Sequence, residues 1–285
     1  MADTHIPQRS TPITAVCLSL IDVKKIFSRL EKIVHDEGGR EIAKLERQTE
    51  MNDEQWEARK KEIMAGAFRV TVTIEGESGD RLHGDTLALF DSPNRPERVK
   101  NVFMTNSTAF RWWTKNNPTR SFDLMLDFAR PKLLDSENYV SAPTPNLSRL
   151  NVEADNENWI AIISEAVSGV LSDKSNNRKF LHQAFIYDLG LLIVGLPFAF
   201  YLSWKLSDVV AHHLSEKNTF LGAAAYVYLF ALAVWLYRIL FGYTKWAFPA
   251  LELKENADSI SNHRTFWYAI IVGLAVNFLY EWLKQ

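Results

Sequence analysis

Three long apolar runs in the last third of the chain restrict its possible folds more than any other feature. The first, "AFIYDLGLLIVGLPFAFYLSW" (184–204), has Asp188 as its only charged side chain. The second (220–243) has only Arg238, and the third, "FWYAIIVGLAVNFLYEWL" (266–283), is interrupted by Asn277 and Glu281. A helix needs roughly 20 mostly apolar residues to cross the hydrocarbon core of a bilayer. Each run is therefore expected to span a membrane, and residues 180–285 to form an all-α transmembrane bundle of three helices. Trp204, Tyr243, Trp246, Trp267, Tyr280 and Trp282 gather near the ends of the runs, where amphipathic rings favour the headgroup level. The alternative, core helices of a large soluble domain, leaves too little polar surface to cover three such runs placed so close together.

Basic residues beside membrane spans set orientation. Lys174, Arg178, Lys179, Arg238, Lys245, Lys254 and Arg264 lie on the side of the N-terminal part, against Lys205, Lys217 and Lys284 on the other. Seven against three predicts a cytoplasmic N-terminal domain and a C-terminus outside. The opening "MADTHIPQRSTP" has no basic region followed by an apolar core, so the first part is expected to stay where it is made. The compact loops point to a prokaryotic inner membrane.

Asp188 sits about five residues into the first span and Arg238 as far from the end of the second, each roughly 8 Å inside at 1.5 Å per residue. Antiparallel neighbours would bring both to the cytoplasmic side. Burying either charge mid-membrane costs about 2.5–3.5 kcal/mol, and less near an end. Two outcomes relieve it: an Asp188–Arg238 pair clamping the helices, or separate snorkelling of each side chain to the headgroups. Asn277 is expected to face another helix, and Gly222 with Ala223–Ala225 to permit close approach of a helix of the same chain or of a second protomer. Pro197 should bend the first span. His212 and His213 fall in the outer connection without carboxylates or thiols at ligand spacing.

Residues 1–175 are different. They are rich in charge and are expected to form a cytoplasmic α+β domain, with helices over 19–65, strands over 68–154 and a closing helix over 156–173. Ser19 and Asp22 make a capping box for a helix whose Val23, Ile26, Phe27, Leu30, Ile33 and Val34 share a face; Gly38-Gly39 should break it. "FRVTVTIEG", "RLHGDTLALF", "RVKNVFMTNS" and "SFDLMLDFA" read as strands, the last with Phe122, Leu124, Leu126 and Phe128 inward. Adjacent Trp112 and Trp113 in "FRWWTKNNP", read as strand, would face opposite ways, making one of them a possible partner surface. Asp155 or Asn156 caps the last helix, which carries Trp159, Ile162, Ile163, Ala166, Val167 and Val170 on one face.

The stretch "SRLNVEADNENWIAIISEAVSGVL" (148–171) resembles the closing strand and helix of a pleckstrin-homology-like domain. The resemblance implies a bent antiparallel barrel plugged by that helix. Six strands are counted against the family's seven, and no basic loop of the phosphoinositide-binding kind stands between the first strands. A helix-grip sheet or an open antiparallel sheet fits the same pattern.

The formal net charge is −2, with no basic stripe, which argues against nucleic acid as a partner. One cysteine, Cys17, excludes an internal disulfide. No phosphate loop, dinucleotide fingerprint, HExxH helix or G-x-S-x-G nucleophile is present, so no catalytic residue, metal or cofactor is assigned and an enzyme is not expected. The functional expectation is a multi-pass membrane protein whose cytoplasmic domain binds or senses a protein or small ligand. The helices would anchor it in the lipid bilayer, or transmit the event. An oligomeric channel or membrane-perturbing effector, and a scaffold subunit of a membrane complex, are the alternatives.

Overall fold

The computed structural model describes residues 7–43, 52–133, 140–215 and 218–284. Lys217, counted among the flanking charges, lies outside the described residues. The described chain divides into two compact units that are interleaved in sequence. One unit comprises 1–129, 146–176 and 251–259, the other 130–145, 177–250 and 260–285. The simple division at 175–180 therefore becomes five crossings of the chain, at 129/130, 145/146, 176/177, 250/251 and 259/260.

The first unit runs β1 (Gln8–Pro12), β2 (Val16–Leu18), α1 (Leu20–Ala43), α2 (Asp53–Ala67), β3 (Thr71–Gly76), β4 (Arg81–Gly84), β5 (Val99–Thr105), α3 (Ser107–Thr114), β6 (Ser121–Asp127), β7 (Arg149–Glu153) and α4 (Glu157–Leu171). Six strands form one antiparallel sheet in the order β1-β7-β6-β5-β3-β4, leaving β1 and β4 as its edges. Alternation places Val72 and Ile74, Val102 and Met104, Leu124 and Leu126, and Leu150 and Val152 on the buried face. Ile26, Phe27 and Leu30 of α1 share that core with Trp159, Ile163 and Val167 of α4. Ile162, expected on the inner face of α4, is instead exposed.

Local signals in the sequence start the two helices as expected. The backbone N–H and hydroxyl of Ser19 donate to Asp22 Oδ2 at 2.9 and 2.7 Å, and Asp22 N–H donates back to Ser19 Oγ. Asn156 Oδ1 accepts from Trp159 N–H at 2.9 Å.

Three local expectations are corrected. Gly38-Gly39 does not break α1, which continues to Ala43. A Cβ at Gly38 would lie 2.4 Å from Phe68 Cγ, so this glycine serves close packing and not termination. "FRWW" is not a strand: it forms α3, which packs on α2. The strand read into "RLHGDTLALF" ends at Gly84 and gives way to a 3₁₀ turn at Leu87–Asp91.

A further strand had no sequence signal. Between the second and third apolar runs, β8 (Leu251–Leu253) pairs in parallel with β2. Leu251 and Leu253 join the hydrophobic core of this unit. Asn256 then brackets Val99, accepting from its N–H at 3.2 Å and donating to its carbonyl at 2.7 Å, while Glu255 accepts from Leu20 N–H.

The second unit contains α5 (Ala184–Gly190), α6 (Leu196–Lys205), α7 (Ser207–Val210), α8 (Thr219–Ala247) and α9 (Ser261–Leu283). A π-turn at Leu191–Gly195 joins α5 and α6 into one helix, Ala184–Lys205, with Leu196 N–H bonded to Leu191 C=O. Pro197 lacks an N–H and crowds the carbonyl four residues back, so the wider turn forms just ahead of it. This helix and α8 are long and apolar enough to cross a membrane. Helical turns, not a plain loop, occupy 207–215 and include His212 and His213.

Candidate functional site

The site is built around Arg120, at the mouth of β6. Asn106 closes the loop leading to it: its side-chain N–H donates to Arg120 C=O at 2.9 Å and its Oδ1 accepts from Phe122 N–H at 3.0 Å. Inside this loop α3 ends at Lys115, whose φ of 61° is left-handed. The Arg120 guanidinium meets Asp155 with two bonds, Nε–Oδ1 at 2.5 Å and Nη2–Oδ2 at 3.0 Å, and turns its remaining arm to Glu37 Oε1. Arg120 thus fastens α1, the start of β6 and the entry to α4 together. Glu37 is 6% exposed and also lies 3.5 Å from Arg40. The Asp155 bonds raise the guanidinium pKa, helped by the charges of Glu37 and Glu41 and opposed by burial.

Beside this cluster is a cavity of about 420 Å³, walled by α1, α2, α3, the 118–120 segment and the start of α4. Its apolar side is made by Ile42, Ile63, Phe68 and Phe110, the two rings meeting edge to face at 5.6 Å. Glu37, Glu41, Arg120 and Asp155 form its polar side. Trp159 lines it as well, 4% exposed, and its indole N–H has no acceptor among the described residues. Buried donors are nearly always satisfied, so an unsatisfied one beside a cavity calls for an explanation. No group of three or more metal-ligating side chains occurs among the described residues.

Trp159 was visible in the sequence only as a member of an apolar face, and Glu37, Glu41 and Arg120 as ordinary surface charge. A bulky indole on a capped helix was the one available hint. The residues the sequence did single out lie elsewhere. Trp112 is 68% exposed and Trp113 37%, edge to face with each other on α3. Trp113 packs on α2 at Gly66, where a Cβ would fall 2.0 Å from the indole. Both line a more open groove with Arg69, His83 and Asp85.

In the second unit Asp188 is exposed, Arg238 is half-buried, and no ion pair joins them among the described residues. Their neighbours meet instead: Tyr237 donates to Tyr187 C=O at 3.0 Å. Gly222 is buried in α8, and Asn277 lies in α9 with its side chain outside the described residues. Near the start of the first long helix, His182 is buried with both ring nitrogens bonded, Nε2 to Phe248 C=O and Nδ1 to Thr144 Oγ1, each at 2.8 Å. A carbonyl only accepts, so Nε2 bears a proton and donates to Phe248; in the neutral ring Nδ1 then accepts from Thr144 Oγ1. Burial lowers the His182 pKa; the Phe248 bond opposes this, and the charges of Lys245 and Arg178 add to it.

Fold and site together define an α+β domain with a cavity open at one side, joined repeatedly to long apolar helices. Comparison with protein-family models, with curated proteins and with solved structures gives no match for this chain.

Proposed function

We propose that the protein is a membrane-anchored ligand-binding module, whose α+β unit holds a small molecule in the cavity beside Trp159. The single observation behind this reading is that cavity, of a size common for small-molecule sites, with an unanswered buried donor in its wall. Apolar walls with a few convergent polar groups are the usual make-up of such sites.

Anchoring rests on the two long apolar helices, along which large side chains such as Leu192, Ile193, Phe200, Tyr228 and Trp235 are exposed. Soluble proteins rarely expose contiguous apolar surface on that scale. In this proposal α9 is a third span, the α+β unit is cytoplasmic and the C-terminus lies outside, in a prokaryotic inner membrane. The connection between α8 and α9 contributes β8 to the α+β unit, which fits a bundle that transmits occupancy as well as anchoring the domain.

Two measurements test this. The full chain should stay with carbonate-washed membranes, and its recovery in the supernatant would refute the anchor. Native mass spectrometry of the detergent-solubilised full chain should show a bound small molecule that is lost when Ile63→Trp fills the cavity. A single unliganded mass in both proteins would refute the ligand pocket.

A further inference from the structure

We infer that the groove at Trp112 and Trp113 docks an acidic, extended segment of a partner protein, with one apolar side chain of that segment seated against the two indoles. The groove shares no lining residue with the cavity beside Trp159, and the inference stands whether or not that cavity holds a ligand.

Its place in the fold comes first. The five points where the chain crosses between the units gather at one end of the six-stranded sheet. Residue 129 follows β6, residue 146 precedes β7, and Asn256, between the last two crossings, brackets Val99 at the start of β5. The crossing at 176/177 follows Ser175, which bridges to Val16 of β2, the partner of β8. α3 lies at the other end, after Thr105 closes β5 and before Ser121 opens β6. The seven residues of β6 separate the two ends by roughly 20 Å. The groove, about 440 Å³, is therefore clear of every point where the chain leaves the unit.

Charge gives the class of partner. Residues 106–120, which include α3, hold Arg111, Lys115 and Arg120 and no carboxylate. Arg120 is bound to Glu37 and Asp155. Arg111 and Lys115 are exposed, and neither forms an ion pair among the described residues; Lys115 stands over the Trp112 ring at 5.8 Å. The two carboxylates in the groove wall already have cations, Glu62 with Arg59 at 3.0 Å and Asp85 with Arg69 at 2.6 Å. An acidic partner thus meets complementary charge beside Trp112. A second copy docking by the same face would set these cations against their own counterparts, so the occupant is a different molecule.

Shape gives its form. Trp112 is 68% exposed and Trp113 37%, an aromatic step of the kind that dominates protein interfaces. β4, with His83, runs into the groove and among the described strands pairs only with β3, leaving its outer edge for an added strand. An extended segment can pair along that edge and place a side chain against the indoles, the mode of strand addition.

The test titrates the full chain, in a mild non-ionic detergent, into two fluorescein-labelled peptides, EDEFDED and its uncharged counterpart QNQFNQN, and reads fluorescence anisotropy. The acidic peptide should bind at least about ten-fold tighter than the neutral one, and the gap should close at high salt. Trp112→Ala should weaken binding of the acidic peptide at least about ten-fold. Arg111→Gln with Lys115→Gln should bring it down to the neutral level. These three side chains are exposed, so both variants should keep the parent's unfolding temperature, and a loss of binding reports the surface and not the fold. Equal binding of the two peptides, binding that ignores the Trp112 change, or tighter binding of a labelled oligothymidylate would overturn the inference. So would silence from both peptides.

Discussion

Tyr237 of α8 donates its hydroxyl to the backbone carbonyl of Tyr187, 3.0 Å away on the first long helix. The same ring closes over two glycines: a Cβ at Gly190 would lie 2.3 Å from the Tyr237 oxygen, and one at Gly195 3.0 Å from its ring. The two apolar helices are thus joined one residue away from Asp188 and Arg238. A neutral hydroxyl meeting a carbonyl achieves this without bringing two charges out of water.

Tyr237→Phe should therefore weaken the helix pair by about 0.6–1.7 kcal/mol, the range of interhelical hydrogen bonds in membranes. Exchanging the charges, Asp188→Arg with Arg238→Asp, should restore nothing beyond the single changes. Thermal unfolding of the full chain in a mild detergent measures both. Rescue by the exchange would show that the charges pair after all.

The adjacent glycines of α1 should respond in opposite directions. Gly38→Ala drives a methyl into Phe68 and should destabilise by about 1–3 kcal/mol, as overpacked cores do. Gly39 is exposed, and a Cβ there would meet nothing within 4 Å, so Gly39→Ala should stabilise by up to about 1 kcal/mol through helix propensity. Denaturation midpoints of the two variants give the answer.

Acid should loosen the contact at His182. Its folded pKa is lowered, so the unfolded chain takes up a proton first as pH falls. The stabilisation is complete above about pH 6.5, the ordinary histidine value, and is lost as pH drops from there toward the lowered folded value. The protection of the Thr144 N–H, which donates to His182 C=O, against exchange relative to its intrinsic rate should fall over that window and stay flat in His182→Gln.

Asp22 titrates with the same sign, in a more acid window. Burial raises its pKa, but the bonds from Ser19 and the charge of Lys174, 3.2 Å away, outweigh burial and hold it below the ordinary carboxylate value. Its contribution is full above about pH 3.9 and disappears as pH falls through the lowered value. Asp22→Ala should cost about 1 kcal/mol at neutral pH, the usual worth of a helix cap, and flatten the acid limb of the stability curve.

Cutting the chain after residue 176 should damage the α+β unit as well as remove the two long apolar helices. Leu251 and Leu253 are almost wholly buried there, and each such side chain contributes about 1.5–3 kcal/mol. Losing both removes a large share of a typical domain's stability of roughly 5–15 kcal/mol. The truncated protein should bind a hydrophobic dye, and Leu253→Asp in the full chain should reproduce the effect. A fragment with native stability would refute the role of β8.

What the sequence determined by itself was whatever depends on neighbours along the chain. Capping by Ser19, Asp22 and Asn156 involves partners three residues apart. The inward set Phe122, Leu124, Leu126 and Phe128 follows from the two-residue strand period, and the long apolar helices follow from composition alone. Tertiary structure decided the rest. Arg120 finds Glu37 across 83 residues and Asp155 across 35, while Asn256 finds Val99 across 157. The aromatic run at Trp112 has strand-like composition, yet it forms a helix that packs on α2, a partner no local pattern announces. Gly38 reads as a helix breaker until Phe68 is placed against it. Charge and shape complementarity between distant segments leaves no periodic trace in a sequence, and the cavity beside Trp159 is made entirely of such meetings.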